Sequence, residues 1–274
     1  MTNEHYYGLH YNHGTFSGVE DVLAVEESLS IAINGEPFTV TMRTPGFEEE
    51  LIRGLLYSEE VYRDLETAPV VEILETNGKG YVTSVNVKIP ADKILKNFAG
   101  SRNIISASSC GLCGRTSFED TITKNTIAET GLLDPSLVVR MFESMSMKQE
   151  AFRQSGGTHA SAAFTLDGKM LDIREDIGRH NAVDKVIGGL IHKNKLHEAK
   201  VLTVSGRISY EIVNKALSAG IPFLASVSAP STLSVENAQA AGMTLMAFCR
   251  NDKLTIYAHP ERIIQNEFVQ VNKY

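Results

Sequence analysis

The sequence predicts an α/β protein: a larger C-terminal domain built on a mostly parallel sheet, preceded by a smaller α+β unit. Three observations predict it. Between residues 201 and 248, short apolar runs alternate with helical spacing in a β-α-β-α-β succession. Short loops between such elements imply parallel strands joined by right-handed crossovers. Before residue 90, Asn-Gly pairs separate runs of period-two alternation, the mark of antiparallel hairpins. Between the two regions, Ser101 to Thr116 is rich in serine and glycine and poor in large apolar residues, which reads as loop. The expected organisation is a loosely ordered tail over 1–20, the small unit over 21–105, a mobile cysteine-containing loop region over 106–131, and the α/β domain over 132–274.

Each element follows from its own pattern. The tail holds His5, His10 and His13 among Gly, Asn and Tyr, and a loosely ordered terminus is the reading preferred to a metal-binding one. Leu29, Ile31 and Ile33, then Asn34-Gly35, then Phe38, Val40 and Met42 form the first hairpin, broken by Pro45-Gly46. Phe47 to Tyr62 is an amphipathic helix with Leu51, Ile52, Leu55 and Leu56 inward. Val70–Leu74 and Tyr81–Ile89 around Asn77-Gly78 form the second hairpin. Asp134-Pro135 opens a helix, Asp as cap and Pro at the first position. Leu137, Met141, Met145 and Phe152 carry it to Gly156-Gly157. His159–Leu166 and Met170–Ile173 flank Asp167-Gly168-Lys169 as a third hairpin, and Ala182–Leu190 is helical. Then come a strand at Val201–Val204, a helix at Ile208–Ala219, a strand at Phe223–Val227, a helix at Ser234–Ala241 and a strand at Met243–Phe248. In such a sheet, ligands bind beyond the carboxyl ends of the strands. Those ends are Ser205-Gly206-Arg207, Ser228-Ala229-Pro230 and Cys249-Arg250, all small, polar or cationic.

Composition excludes several classes of function. A 274-residue chain that is 43% hydrophobic and 22% charged can bury a core, so disorder is not its main state. With 26 basic against 33 acidic residues, a net charge of −7 argues against a nucleic-acid backbone as the main partner. No basic-then-apolar leader opens the chain, and no run approaches the roughly 18 apolar residues of a membrane span. Three cysteines do not make a secreted disulfide framework. A soluble, cytosolic protein is expected.

Three clusters could carry chemistry. The first is S-S-C-G-L-C-G-R, with Cys110 and Cys113 between glycines and Arg115 following. Two thiols at this spacing can share a metal, form a disulfide or pass sulfur between them. A structural zinc site wants four ligands and there is no second C-x-x-C. A deaminase-type zinc site needs H-x-E ahead of P-C-x-x-C; here the one H-x-E, His259-Pro260-Glu261, comes after the pair, and Ser109 stands in place of the proline. No metal site is expected. A thiol–disulfide exchanger would sit at a helix start, which the Ser-rich flanks fit poorly, whereas a sulfur carrier at a mobile loop tip fits exposure and mobility. Incidental cysteines are the remaining alternative. Cys249, ending an apolar run, reads as a small hydrophobe.

The second cluster joins Gly156-Gly157-Thr158-His159 to R-E-D-I-G-R-H-N-A-V-D-K, Arg174 to Lys185. Gly178 and two cations at a helix start suit an anion, and His180 can exchange a proton near neutral pH; a solvated, capped first turn is the structural alternative. The third is V-S-G-R-I-S-Y-E, Val204 to Glu211, where Ser205, Arg207 and backbone N–H groups could hold phosphate. Neither G-x-x-x-x-G-K-[ST] nor G-x-G-x-x-G occurs, so a nucleotide would be held in some other way.

Together, S-C-G-L-C-G, G-G-T-H-A, R-E-D-I-G-R-H-N-A-V-D-K, V-S-G-R-I-S-Y-E, S-A-P-S-T-L-S-V and F-C-R resemble the formate dehydrogenase accessory sulfurtransferase family, from about Arg43 to Arg262. The resemblance implies a cytidine-deaminase-like α/β domain behind the smaller unit. It also implies a sulfurtransferase that accepts persulfide sulfur from a cysteine desulfurase. That sulfur would pass to molybdenum in the bis-guanine-dinucleotide form of the molybdenum cofactor, bound as substrate, before insertion into formate dehydrogenase. By the family's pattern Cys110 carries the persulfide and Cys113 assists. Its cofactor-contacting stretch falls on Phe248, Cys249, Arg250, Asn251, Asp252 and Lys253. A cofactor-binding chaperone that moves no sulfur is the competing function, and the oligomeric state, a homodimer included, is left open.

Overall fold

The computed structural model describes residues 3–95, 105–106, 126–127 and 131–265. The chain opens with β1 (Asn3–Asn12) and β2 (Thr15–Ala24), which pair only with each other. Of the loosely ordered tail expected over 1–20, residues 3–20 instead belong to a ribbon of two ten-residue strands. His13 and Gly14 both take positive φ, 46° and 87°, and close a tight turn. Its root is anchored: Asn3 Nδ2 donates to Gln154 Oε1 at 2.8 Å, and Lys79 pairs with Glu4 at 2.6 Å.

Next come β3 (Glu27–Ile33), β4 (Glu36–Arg43), α1 (Glu48–Ser58), β5 (Val70–Thr76), β6 (Val82–Lys88) and the short β7 (Ile105–Ser106). They form a five-stranded sheet in the order β5-β6-β3-β4-β7. Leu29, Ile31 and Ile33 of β3 and Val85 and Val87 of β6 pack against Leu51, Ile52 and Leu56 of α1. The Asn34-Gly35 turn falls where the alternation puts it, with φ 51° and 85°, whereas the second hairpin closes over a longer loop in which Gly80, not Asn77-Gly78, takes positive φ, 81°.

The rest of the chain forms α2 (Pro135–Lys148), α3 (Glu150–Ser155), β8 (His159–Phe164), β9 (Met170–Asp176), α4 (Arg179–His192), β10 (Val201–Val204), α5 (Tyr210–Ser218), β11 (Phe223–Ser226), α6 (Thr232–Ala241), β12 (Thr244–Arg250) and β13 (Lys253–Ala258). The helix expected to run unbroken from Pro135 to Gly156 breaks at Gln149. The Glu175 carboxylate reaches across from β9 to accept the N–H groups of Ala151 and Phe152 at 2.9 and 2.8 Å. It thereby caps a new helix start.

The second sheet has the order β13-β12-β11-β10-β8-β9. β10, β11 and β12 run parallel, while β8 is antiparallel to both of its neighbours and β13 is antiparallel to β12. The expected mostly parallel sheet is therefore mixed: β9, β10, β11 and β12 point one way, β8 and β13 the other. β13 was not anticipated. The Asn251-Asp252 turn that creates it carries two non-glycine residues at φ 52° and 55°. Alternating burial separates two layers: Leu202, Val204, Leu224 and Leu245 pack under α4, α5 and α6, whereas Val201, Phe223, Ala225 and Met246 pack against Val138, Met141, Phe142 and Met145 of α2.

The two halves share one tight helix crossing. A Cβ at Gly54 of α1 would lie 1.8 Å from the Asp184 carbonyl oxygen of α4, and one at Gly188 would lie 1.9 Å from that of Glu50. Only glycine permits this approach. Beside it, buried Lys215 Nζ donates to both Asp184 oxygens at 2.8 and 2.9 Å and to Ser58 Oγ at 2.9 Å. No described helix is long and apolar enough to cross a membrane.

Candidate functional site

Strand direction assembles the site. The carboxyl ends of β9, β10, β11 and β12 lie along one edge of the second sheet, and the reversed β8 and β13 begin there. That edge brings together His159, the Gly178-Arg179-His180 helix start, Ser205-Gly206-Arg207, Ser226 to Ser228, and the Arg250–Lys253 hairpin. The second and third sequence clusters are thus one place.

Much of the long motif turns out to be scaffolding. Asp176 Oδ1 accepts the Gly178 N–H at 2.8 Å and Asn181 Nδ2 at 3.0 Å, and its Oδ2 pairs with buried Lys185 at 2.7 Å. Asn181 also donates to the Met42 carbonyl at 2.8 Å, and Lys185 to that of Thr44 at 2.8 Å. These residues clamp the end of β4 to α4. Arg174 is likewise engaged, with Asp172 and over the Phe47 ring at 4.4 Å. Arg179 and His180 stand at the start of α4, toward the strand ends.

The centre of the site is polar and cationic. Ser205 Oγ accepts the Ala160 N–H at 2.9 Å and lies 3.4 Å from His159 Nδ1. A Cβ at Gly206 would meet His159 Nδ1 at 3.2 Å and Arg179 Cδ at 3.3 Å, so the missing side chain lets both approach the turn. Burial, then the neighbouring Arg179 guanidinium, holds the His159 imidazole below the ordinary histidine range; Asp176 opposes them, and His180 and Arg207 add to the lowering. His180 Nε2 lies 3.2 Å from Ser209 Oγ and 3.4 Å from Glu211 Oε2, and the Ser209 hydroxyl donates to Glu211 at 2.8 Å. Burial alone would raise the Glu211 carboxyl, but the His180 and Ser209 hydrogen bonds hold it below the usual carboxylate range. Ser209 directs its side chain to Glu211 and accepts no N–H of α5. Nor does any side chain cap α4, whose flanking residue is Gly178. Two helix N-termini therefore turn their positive dipole ends to the same edge, with the Glu211 carboxylate taking its own N–H in the first turn of α5.

A relay of short contacts joins this centre to the β12–β13 hairpin. Ser226 Oγ donates to the Gly206 carbonyl at 2.6 Å and accepts the Ser228 N–H at 2.9 Å; the Ser228 carbonyl accepts the Phe248 N–H at 3.2 Å. Phe248 is 37% exposed with φ 55°, and Arg250, Asn251, Asp252 and Lys253 are exposed. Cys249 differs from its neighbours: it is 2% exposed, and burial pushes its thiol up to about 12, which a Ser226 backbone hydrogen bond only partly offsets. Its sulfur belongs to the core, so any contact it makes with a ligand runs through its backbone.

Of the residues the sequence singles out, Ser205, Arg207 and His180 come together, and Phe248 to Lys253 form the adjoining rim. Cys110 and Cys113 lie outside the described residues. His159, Arg179, Ser209 and Glu211 were not singled out one by one, although each sits inside a motif that was. The signal available was that two motifs each end a strand and begin a helix.

A mixed α/β sheet whose strand ends gather arginine, histidine and serine side chains defines an α/β protein with a candidate anion site at that edge. The chain belongs to the FdhD/NarQ family, whose model matches residues 24–264. It is 41% identical over 245 residues to the sulfur carrier protein FdhD of Sulfolobus acidocaldarius, covering 89% of this chain and 92% of that one. It is 42% identical over 255 residues to the protein of the same name from Mycobacterium tuberculosis, again covering 89% and 92%. A crystal structure from Desulfotalea psychrophila, described as a formate dehydrogenase accessory protein, superimposes with a TM-score of 0.75 at 21% identity, covering 96% of this chain and all of that one. At that identity the likeness speaks for the fold alone.

Proposed function

We propose that the protein is a sulfur carrier serving formate dehydrogenase. The Cys110 thiolate attacks the outer sulfur of a cysteine desulfurase persulfide; one S–S bond forms as the donor's S–S bond breaks and its thiolate leaves. The outer sulfur is then passed to reduced molybdenum in a bis-guanine-dinucleotide cofactor, held as substrate at the strand-end edge; the substrate metal supplies the electron pair, the S–S bond to Cys110 breaks and Cys110 leaves as thiolate. Ser205, Arg207 and His180 meet its phosphates, and Phe248 to Lys253 border its guanine end. On this reading the second sheet is a cytidine-deaminase-like layout put to another use, and the work takes place in the cytoplasm.

The observation that carries the proposal is a tether. β7 pairs in parallel with β4, Ser106 beside Thr41, and the Thr41 hydroxyl donates to Asn181 in the first turn of α4 at 3.2 Å. Cys110 follows Ser106 by four residues, a length of chain that spans at most about 14 Å. That reach supports the reading that a thiol at position 110 can serve the helix start that faces the proposed cofactor. The names of the curated relatives support the sulfur-carrier role.

The test is mass spectrometry after incubation with a desulfurase and cysteine. The protein should gain one sulfur atom on Cys110, and Cys110→Ala should gain none and fail to restore formate dehydrogenase activity. A wild-type protein that gains no sulfur yet still binds guanine dinucleotide would replace the carrier with a cofactor chaperone.

A further inference from the structure

His159 has no assigned role in the proposed function, yet it is the half-buried base around which the cationic edge is built. It opens β8, opposite Asp176 of β9. The charged and titratable groups acting on it are Asp176 at the end of β9, Arg179 and His180 at the start of α4, and Arg207 in the turn after β10. Its Nδ1 is committed to Ser205 Oγ at 3.4 Å. That oxygen also accepts the Ala160 N–H. With the imidazole neutral and its proton on Nε2, the serine hydroxyl is the donor to Nδ1 and is spent on the histidine.

We propose that His159 is a further ligand-binding residue of the edge, that it binds an anionic phosphate or pyrophosphate group as an imidazolium, and that it takes up a solvent proton as that ligand arrives. One N–H bond forms at Nδ1 and no other covalent bond changes. Once Nδ1 carries a proton it donates to Ser205 Oγ, which retains acceptor capacity, and the Ser205 hydroxyl proton is released to turn toward the ligand. A single protonation thus adds one positive charge and one outward hydrogen-bond donor. Arg179 and Arg207, which disfavour the imidazolium, are offset by the incoming negative charge.

This inference rests on the strand-end edge being the nucleotide site. The probe is diguanosine pyrophosphate, whose two diester phosphates keep a fixed charge near neutral pH. Binding is followed by calorimetry in buffers of different ionisation enthalpy between pH 6 and 8. Wild-type protein should take up a proton on binding, with affinity gaining up to about tenfold per pH unit as pH falls. His159→Gln, which keeps a hydrogen-bonding group but cannot titrate, should lose most of that uptake. In wild-type protein, NMR should show the His159 imidazole titrating at higher pH once the probe is bound, a readout that needs no variant. Binding without proton uptake, or equal uptake by His159→Gln, overturns the role of His159 and leaves the edge as the nucleotide site. No binding of the probe overturns both.

Discussion

Asp176 and Lys185 face each other at 2.7 Å with side chains 0% and 1% exposed, and together they join the two halves of the molecule. Asp176 closes the end of β9 and accepts the Thr44 N–H at 3.2 Å; Lys185, two turns into α4, donates to the Thr44 carbonyl. Thr44 in turn accepts the Ile177 N–H at 3.0 Å through its hydroxyl. Removing one charge strands the other in a dry interior. Lys185→Met should lower stability by about 3–5 kcal/mol, and Asp176→Asn with Lys185→Met by less than the sum of the two single changes. Urea unfolding of the three variants measures this, and strictly additive losses would show that the charges act independently.

The α1–α4 crossing is similarly intolerant, for steric reasons. At 1.8 and 1.9 Å from carbonyl oxygens, added Cβ atoms at Gly54 and Gly188 must push the helix backbones apart. Gly54→Ala and Gly188→Ala should each cost about 1–3 kcal/mol or more, although alanine favours helix over glycine. A thermal midpoint equal to or above the parent in either variant would refute the close approach.

Cys249 should be chemically silent. Its thiol is pushed up to about 12 by burial, so almost none is thiolate near pH 8, and thiolate is the reactive form. Iodoacetamide should label Cys249 in the native protein at least about a hundredfold more slowly than in urea. Peptide mapping separates this site from the other two cysteines.

Guanine-dinucleotide affinity should depend on the exposed cations of the edge. Arg207→Ala and Arg250→Ala should each weaken binding about tenfold, the lower range for a hydrogen bond to a charged group. Each should also reduce the dependence of affinity on salt, since part of the screened attraction is gone. Unchanged affinity with an unchanged salt slope would remove that arginine from the site.

Stability should vary with pH through His159. Because its imidazole is held below the ordinary value when folded, the unfolded chain binds more protons between the folded value and about 6.5. Stability therefore rises with pH across that window and falls as pH drops through it. His159→Gln should flatten the wild-type curve there, as read from urea midpoints between about pH 5 and 7.5; parallel curves would mean that His159 does not titrate differently on folding.

The sequence by itself determined the local structure wherever one physical signal acts over a few residues. The Asn34-Gly35 turn, the existence of the second hairpin, the Asp134-Pro135 helix start and the strand–helix rhythm from Val201 onward were legible, because turn chemistry, capping and apolar periodicity are properties of neighbours in the chain. The motif residues His180, Ser205 and Arg207 could be picked out for the same reason, since each stands where a strand gives way to a helix. Only the tertiary structure decided how those ends meet. The reversal of β8 puts His159 at the edge where β10 ends, and the Ser209 hydroxyl lies between Glu211 and an imidazole 29 residues away in the chain. The same holds for the break at Gln149, imposed by Glu175 across a sheet, and for the division of the Arg174–Lys185 motif into clamp and site. Hydrogen bonds and charges act over a few ångströms of space whatever the distance along the chain, and no window of sequence contains that information.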